Sequence, residues 1–471
     1  MLLSGRCARR QASERLVEHV FCAMLLVLIT SLTSHVACLG PEADLLNERR
    51  DGGEVTARSR QYDLDSFTNV AGMNGRMNDR MEMAEGVQSD ESDERHVFNI
   101  TDYGAVGDGV KNCTQAFQAA IRAASKALNH STVYVPAGKF LTSPLRLDDC
   151  KNTWLVIEGT VLAPSETADW HGKNHLIKFT EPTNCSVLGV SATASIDGVG
   201  AVWWASEAAG NSSRPDLLIF KGGMHGYPQP SVFNISLVNA PGAHIKIQDT
   251  VMYAGVEIVG VMIEANDDKH ADGIVAINAS FLVDRSSISV GGTNVLSKTE
   301  YGDSSRSFFG LTQVVLSKGD GLQMLVTDGI LANVSTWDVS MKNTRYGVSL
   351  LGARDGSGMV EQMDMEQITM DGVGTPIVVD NTHCPPSHHG CTHPARGVKL
   401  SIVMDDISAT QTSGSAGEFQ CGQPDMCFVA LDNVTVSALP PATGNAFHCS
   451  NVTGQASDTV KPPACFPKSV A

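Results

Sequence analysis

Titratable side chains crowd one short stretch of this chain, Asp267-Asp268-Lys269-His270-Ala271-Asp272-Gly273, and a lone aspartate stands between glycines further on, Gly319-Asp320-Gly321. Two carboxyl groups held across a bond can act as general acid and general base when their surroundings push their pKa values apart. The alternative is that aspartates commonly fill polar turns and that Asp267-Asp268-Lys269 is a solvated charge run. Asp284-Arg285 and Asp405-Asp406 look like ordinary turn or surface charges. A second constellation, Cys384-Pro-Pro-Ser-His388-His389-Gly-Cys391-Thr-His393, offers enough sulfur and nitrogen for tetrahedral zinc. In an oxidising compartment a small Cys384–Cys391 disulfide loop with exposed histidines is the stronger reading, so no metal and no other cofactor is expected.

The compartment follows from the N-terminus. Arg6, Arg9, Arg10 and Arg15 precede an apolar run from Val20 to Ile29 and the small residues around Ala37. That order fits a secretory signal peptide over residues 1–40; a signal anchor that stays attached is the alternative. Ten Asn-x-Ser/Thr sequons fit a secreted glycoprotein, at Asn99, Asn112, Asn129, Asn184, Asn211, Asn234, Asn278, Asn333, Asn433 and Asn451. Beyond the signal nine cysteines remain, and short spacings suggest the pairs Cys384–Cys391, Cys421–Cys427 and Cys449–Cys465, with at least one thiol left over. Residues 41–96 carry fourteen acids and seven arginines without apolar periodicity, as expected of a disordered linker or pro-segment.

The elements that must position any site begin near Val97. Of 471 residues 42% are hydrophobic and 18% charged, with 44 glycines, which excludes a disordered chain, a coiled coil and a helical bundle. A net charge of −17 argues against nucleic acid, and no apolar run is long enough to cross a bilayer. Short β-branched runs such as Thr132–Val135, Leu155–Ile157 and Ile274–Ile277 alternate with polar turns. Helical character is confined to 114–128, with Thr114 as N-cap. The pattern Val256-Glu-Ile258…Ile263 returns at Leu282-Val283…Ile288, and looser echoes follow at 314–316, 334–341 and 363–370. A β-sandwich also has frequent turns, but a repeat of this length favours a solenoid of stacked coils.

Several segments together resemble one family. Phe98–Gly109 with Thr114-Gln-Ala-Phe117, Ile196-Asp-Gly-Val-Gly200 with Trp203-Trp204, Asn343-Thr-Arg-Tyr-Gly347, Gly356-Ser-Gly358, Pro376–Cys384 and Cys449–Gly454 with Cys465 are similar to landmarks of secreted polygalacturonases, glycoside hydrolase family 28. The resemblance implies an all-β fold, a right-handed parallel β-helix over 97–471 with an N-terminal capping helix, acting as a monomer on pectic or other cell-wall polysaccharide. It also implies inverting hydrolysis, with carboxyl groups roughly 6.5–9.5 Å apart flanking the bond.

The chemistry departs from the family pattern. The family's Asn-Thr-Asp-Gly motif reads His270-Ala271-Asp272-Gly273, its Asp-Asp pair falls on Gly292-Thr293, and its Gly-His-Gly becomes Gly319-Asp320-Gly321. The cations of its Arg-x-Lys motif are replaced in Ser349-Leu350-Leu351, so the groove of an acidic domain is expected to repel polygalacturonate. Asp272 is the expected catalytic acid; Asp320, two coils on, is the second carboxylate, and His270 an accessory group. The two readings are a secreted, extracellular or cell-wall hydrolase of pectinase type and a non-catalytic glycan-binding or decoy protein of the same fold. Tyr301, Phe308 and Phe309 of the insertion Thr299–Phe309 either stack on sugar rings or pack against the helix wall.

Overall fold

A coil of this chain is short because Gly, Asn and Asp break each β-branched run after a few residues, and neighbouring coils then pair strand to strand. The computed structural model describes residues 96–127, 130–205, 214–222, 229–250, 255–266, 269–300, 306–384, 397–438 and 446–466. The chain divides into two units, 1–78 and 79–471, and every described residue lies in the second. The expected signal peptide and nearly all of the expected linker lie outside the described residues.

Every strand ladder in the structure is parallel and joins equivalent positions of successive coils, for example Ile263 to Ile288, Ile288 to Leu316 and Leu316 to Met341. The repeating apolar positions of the sequence are thus vertical neighbours. The molecule is an all-β, right-handed parallel β-helix. One wall is an eleven-stranded sheet that includes Asp216–Lys221, Ala243–Gln248, Asp272–Ile277, Thr293–Thr299, Asp320–Val326 and Tyr346–Ala353. The remaining strands form the other walls. In the later coils two short strands fuse across a corner into long bent ones such as Arg306–Ser317 and Ile330–Lys342. The corner residues Arg285, Gln313, Asp338, Gln367 and Asp406 all hold left-handed φ between 46° and 54°.

Inside, one continuous core runs along the axis, with Val, Ile and Leu in rows and phenylalanines stacked face to face. Phe179 lies 4.9 Å from Phe220, and Phe281 lies 4.9 Å from Phe309. Phe309, at 1% exposure, therefore belongs to the core and not to a sugar platform. Phe308 is half-buried, and Tyr301 lies outside the described residues.

The N-terminal end is closed by the helix Thr114–Ala124, whose buried face is Ala116, Phe117, Ala120 and Ala124. Covering the first coil removes an open sheet edge and an exposed core end. Thr114 is the first helical residue rather than the N-cap. The cap function falls to Asn112, whose Oδ1 accepts from the Thr114 amide at 2.9 Å.

The disulfides Cys421–Cys427 and Cys449–Cys465 form as expected, and Cys384 is disulfide-bonded while Cys391 lies outside the described residues. A further bridge, Cys150–Cys185, joins neighbouring coils across a sequence separation of 35. Among the described cysteines Cys113 is free and buried. No helix of the described residues is long and apolar enough to cross a membrane.

One wall carries a strain of its own. Glu366, Asp405 and Asp432 are in register on three consecutive coils, and Asp364 precedes Glu366 by two residues. Burial, then the neighbouring carboxylates, pushes Glu366 and Asp405 above the ordinary carboxylate range, while burial alone raises Asp364. A raised carboxyl favours folding most when protonated, so this contribution is present below the ordinary carboxylate pKa and is lost as pH rises through the raised values. Like charges directly opposite on paired strands cost on the order of 0.5 kcal/mol. Asp405→Asn is therefore expected to stabilise the protein by about that amount at pH 7 and by nothing at pH 3. Urea unfolding at the two pH values measures the difference.

Candidate functional site

The first residues of eight consecutive strands of the eleven-stranded sheet stand in one column: His175, Asp216, Ala243, Asp272, Thr293, Asp320, Tyr346 and Thr375. Acids occupy every second coil of its middle stretch. At ~4.8 Å per coil, Asp216, Asp272 and Asp320 follow one another at roughly 9–10 Å. Asp272 and Asp320 thus lie two coils apart on one face, where the sequence had put them. Asp216 was missed. Its signal is the same one the other two carry, an aspartate immediately before an apolar run.

Each carboxylate is held by the coil that follows it. The Ala243 amide donates to Asp216 Oδ1 at 2.8 Å, and the Thr293 amide donates to Asp272 Oδ1 at 2.7 Å. For Asp320 the donor is a side chain, Arg345 Nε at 2.8 Å. Asp216 also pairs with Lys246 Nζ at 3.2 Å. Burial pushes the Asp272 carboxyl up, with Asp216 and Asp320 adding to the rise and the Thr293 amide and Lys298 opposing it. Burial likewise raises Asp216, against the pull of Lys246 and the Ala243 amide. Arg345 is held charged by its bond to Asp320.

The backbone beneath two of these acids is fixed from inside the helix. His244 is fully buried, and its Nδ1 lies 2.8 Å from the Asp272 carbonyl oxygen. Its Nε2 lies 3.2 Å from the Ala240 amide and 3.1 Å from the Glu264 carbonyl. Burial drops the ring to about 4, so it is neutral, and the tautomer that satisfies the Asp272 carbonyl and the Ala240 amide donates from Nδ1 and accepts at Nε2, while the Glu264 carbonyl accepts from the Asn239 amide at 2.9 Å. Asn294 repeats the device one acid further on: Nδ2 donates to the Asp320 carbonyl at 2.7 Å and to the Lys318 carbonyl at 3.0 Å. Neither residue is distinguishable in the sequence from any other polar residue in a strand.

The position of the missing acids is also explained. A Cβ at Gly292 would stand 2.4 Å from Asp272 Oδ1 and 2.6 Å from the Ala271 carbonyl oxygen. The carboxylate of Asp272 occupies the space that a side chain at 292 would need.

Of the other candidates, His270 is half-buried in the bend that leads into the strand, outside the column, and Asp267 and Asp268 lie outside the described residues. Ser349 and Leu351 both face outward on the coil after Asp320, in register with Gln323 and Leu325. His388, His389 and His393 lie outside the described residues, and no group of metal-ligating side chains is found among the described ones. Six sequon asparagines, Asn184, Asn234, Asn278, Asn333, Asn433 and Asn451, hold left-handed φ of 46° to 54° at corners. Asn184 and Asn278 are buried, Asn99, Asn234 and Asn333 half-buried, Asn112, Asn433 and Asn451 exposed, and Asn129 and Asn211 outside the described residues. Part of the sequon density is therefore turn chemistry, since Asn tolerates this conformation better than other non-glycine residues.

Comparison with known proteins agrees with this architecture. The model of the glycosyl hydrolases family 28 matches residues 126–459. A polygalacturonase of Prunus persica is 26% identical over 389 residues, covering 78% of this chain and 93% of the relative. Among solved structures, a polygalacturonase from Erwinia carotovora ssp. carotovora superposes with a TM-score of 0.61 at 20% identity, covering 79% of this chain and 99% of that one. An endo-xylogalacturonan hydrolase from Aspergillus tubingensis does so with a TM-score of 0.53 at 16% identity, covering 80% and 99%.

The support under Asp272 is testable through stability. His244→Phe keeps a ring in the space but leaves the Asp272 carbonyl and Ala240 amide unpaired, an expected loss of about 1–3 kcal/mol at pH 7. A ring whose folded pKa is about 4, against 6.5 unfolded, contributes stability that is lost as pH falls from 6.5 towards 4. The wild type and His244→Phe are therefore expected to converge between pH 7 and pH 5 in urea unfolding. A gap that stays constant would show that the ring is not the titrating group.

Proposed function

The chain belongs to the glycosyl hydrolases of family 28, and from that premise we propose that it is a secreted hydrolase of cell-wall polysaccharide in which Asp272 is the general acid and Asp320 the general base. The observation that carries this reading is the column itself, two carboxyls facing one way and two coils apart. That spacing, roughly 9–10 Å, stands at the wide end of the range for inversion, where a water must fit between base and sugar. Burial pushes Asp272 towards the protonated form that can give its proton to the leaving oxygen. Asp320 then takes the proton of the attacking water, with Arg345 fixing one of its oxygens and leaving the other to the substrate side. Disulfides between and within coils support an oxidising compartment, and the exposed Asn433 and Asn451 are the proposed glycan acceptors.

A second reading is favoured by the same hydrogen bonds. Asp216, Asp272 and Asp320 each give one carboxylate oxygen to the next coil, as purely structural turn aspartates would. On that reading the protein binds glycan without cleaving it.

Reducing-sugar release from a panel of pectic and neutral polysaccharides separates the two. The hydrolase reading expects release by the wild type and a loss of ~10²–10⁴-fold in both Asp272→Asn and Asp320→Asn. Activity that survives Asp272→Asn overturns the site. Silence of the wild type on every substrate, with measurable glycan binding, selects the second reading.

A further inference from the structure

The last coil leaves two strands without a further neighbour among the described residues. Phe447–Ser450 ends the eleven-stranded sheet and pairs with Gly417–Gln420 alone, and Thr453–Ala456 pairs with Cys427–Ala438 alone. The end of the core is plugged by Phe466, 6.0 Å from Phe419 and only 7% exposed, and the bridge Cys449–Cys465 ties that tail down. On the adjoining wall Lys461 pairs with Thr435, and the two prolines that follow it offer a further strand no N–H. Phe447–Ser450 and Thr453–Ala456 have no such guard: they hold no lysine, no acid and no proline. An edge of that kind is a template for another chain. Between the two strands stands Asn451, the first residue of the sequon Asn451-Val452-Thr453, exposed and left-handed at φ 54°. The other exposed sequon asparagines of the described residues use Nδ2 within the fold: Asn112 donates to Ser143 Oγ at 3.1 Å and Asn433 to Asp406 Oδ1 at 3.0 Å. No hydrogen bond of the Asn451 side chain is found among the described residues.

We propose that Asn451 carries an N-linked glycan whose role is to close the C-terminal edge of the β-helix against a second copy of this chain. The inference is independent of hydrolysis and rests on the export proposed above. Attachment is a displacement: Asn451 Nδ2 bonds to the anomeric carbon of a lipid-pyrophosphate-linked oligosaccharide, the lipid pyrophosphate leaves, and the amide gives up one of its two protons. Thr453 completes the sequon, and in the folded chain its hydroxyl donates to the Cys427 carbonyl at 2.8 Å, fixing the strand to the coil before. A glycan is bulky and solvated, and at this turn it stands where both open strands meet. The two ends of the molecule are then closed by different means. At the N-terminal end the helix Thr114–Ala124 lies over the first coil, and the strand Asp108–Asn112 carries Asp108 and Lys111. Head-to-tail addition is blocked there. Two bare C-terminal edges can still meet, with their strands antiparallel about a two-fold axis, and that arrangement closes at a dimer.

The test expresses the full chain in a secreting eukaryotic host. Peptide mass spectrometry reads occupancy at Asn451, and light scattering over a concentration series reads the mass in solution. The wild type is expected to be occupied and monomeric. Asn451→Gln, and wild-type protein whose glycans are removed enzymatically after folding, are expected to dimerise with a Kd on the order of 10–100 μM, in keeping with two short strands on each side. Thr453→Ser keeps the sequon and the hydroxyl and is expected to stay monomeric. Adding Gln455→Lys to Asn451→Gln places a charge on the exposed edge and is expected to restore the monomer, which a merely loosened fold would not do. A bare chain that stays monomeric, forms filaments or is not rescued by Gln455→Lys overturns the proposal, as does a glycosylated wild type that dimerises. A secreted wild type with Asn451 unmodified overturns it and leaves export standing. A chain retained in the cytosol without glycan overturns both.

Discussion

Parallel, in-register stacking is the constraint on which everything else in this molecule depends. A coil-to-coil step of ~4.8 Å places equivalent residues of successive coils in van der Waals reach of one another. Whatever a position holds, its neighbours above and below must tolerate. Apolar positions become rows, phenylalanines become stacks, and corner positions become runs of left-handed Asn, Asp and Gln. Charge is where the constraint bites hardest. In the column that contains Asp272, acids alternate with Ala243 and Thr293, so no two carboxylates are direct neighbours. On another wall Glu366, Asp405 and Asp432 are direct neighbours, and two of the three are pushed up. The first arrangement keeps each acid separately addressable; the second is a repulsion that the fold tolerates.

The same stacking makes each acid part of a chain of supports along the axis. A buried side chain of one coil fixes the carbonyl of the acid on the next, as His244 does for Asp272 and Asn294 for Asp320. The carboxylates of Asp216 and Asp272 in turn fix an amide one coil further. Position and protonation are thereby coupled. The donor that holds Asp272 in place also favours its charged form, and the greater penalty of burial, with the charges of Asp216 and Asp320 added, keeps its carboxyl above the ordinary range.

How much of this was legible in the sequence depended on whether the signal was local. The repeat was legible because Val256–Ile263 and its echo at 281–288 are consecutive in the chain and pair directly in space. The bridges Cys421–Cys427 and Cys449–Cys465 were legible because their loops are short. Cys150–Cys185 was not, because its partners meet only through the register of adjacent coils. Asp216 and His244 escaped for the same reason: each is an unremarkable polar residue until the stacking brings it into line with Asp272. Net charge carried no position. Part of the acidic balance sits on the wall of Glu366 and Asp405, a placement that only the register reveals.

Gly292 joins these observations into one argument about what replaced what. An acid at 292 and the present pose of Asp272 cannot coexist, because the Asp272 carboxylate already fills the volume in which a Cβ would lie. With glycine there, Asp272 folds over the next coil and takes the Thr293 amide. Its protonation is governed chiefly by burial, which outweighs the Thr293 amide and Lys298 of that coil. The nearest carboxylates of the column then stand two coils to either side, Asp216 paired with Lys246 and Asp320 reached by Arg345. The pose of Asp272 and the glycine at 292 are in this sense a single feature. The carboxylate of Asp272, lying on the next coil, removes the room for an adjacent acid there, so that the acids of the column are spaced two coils apart.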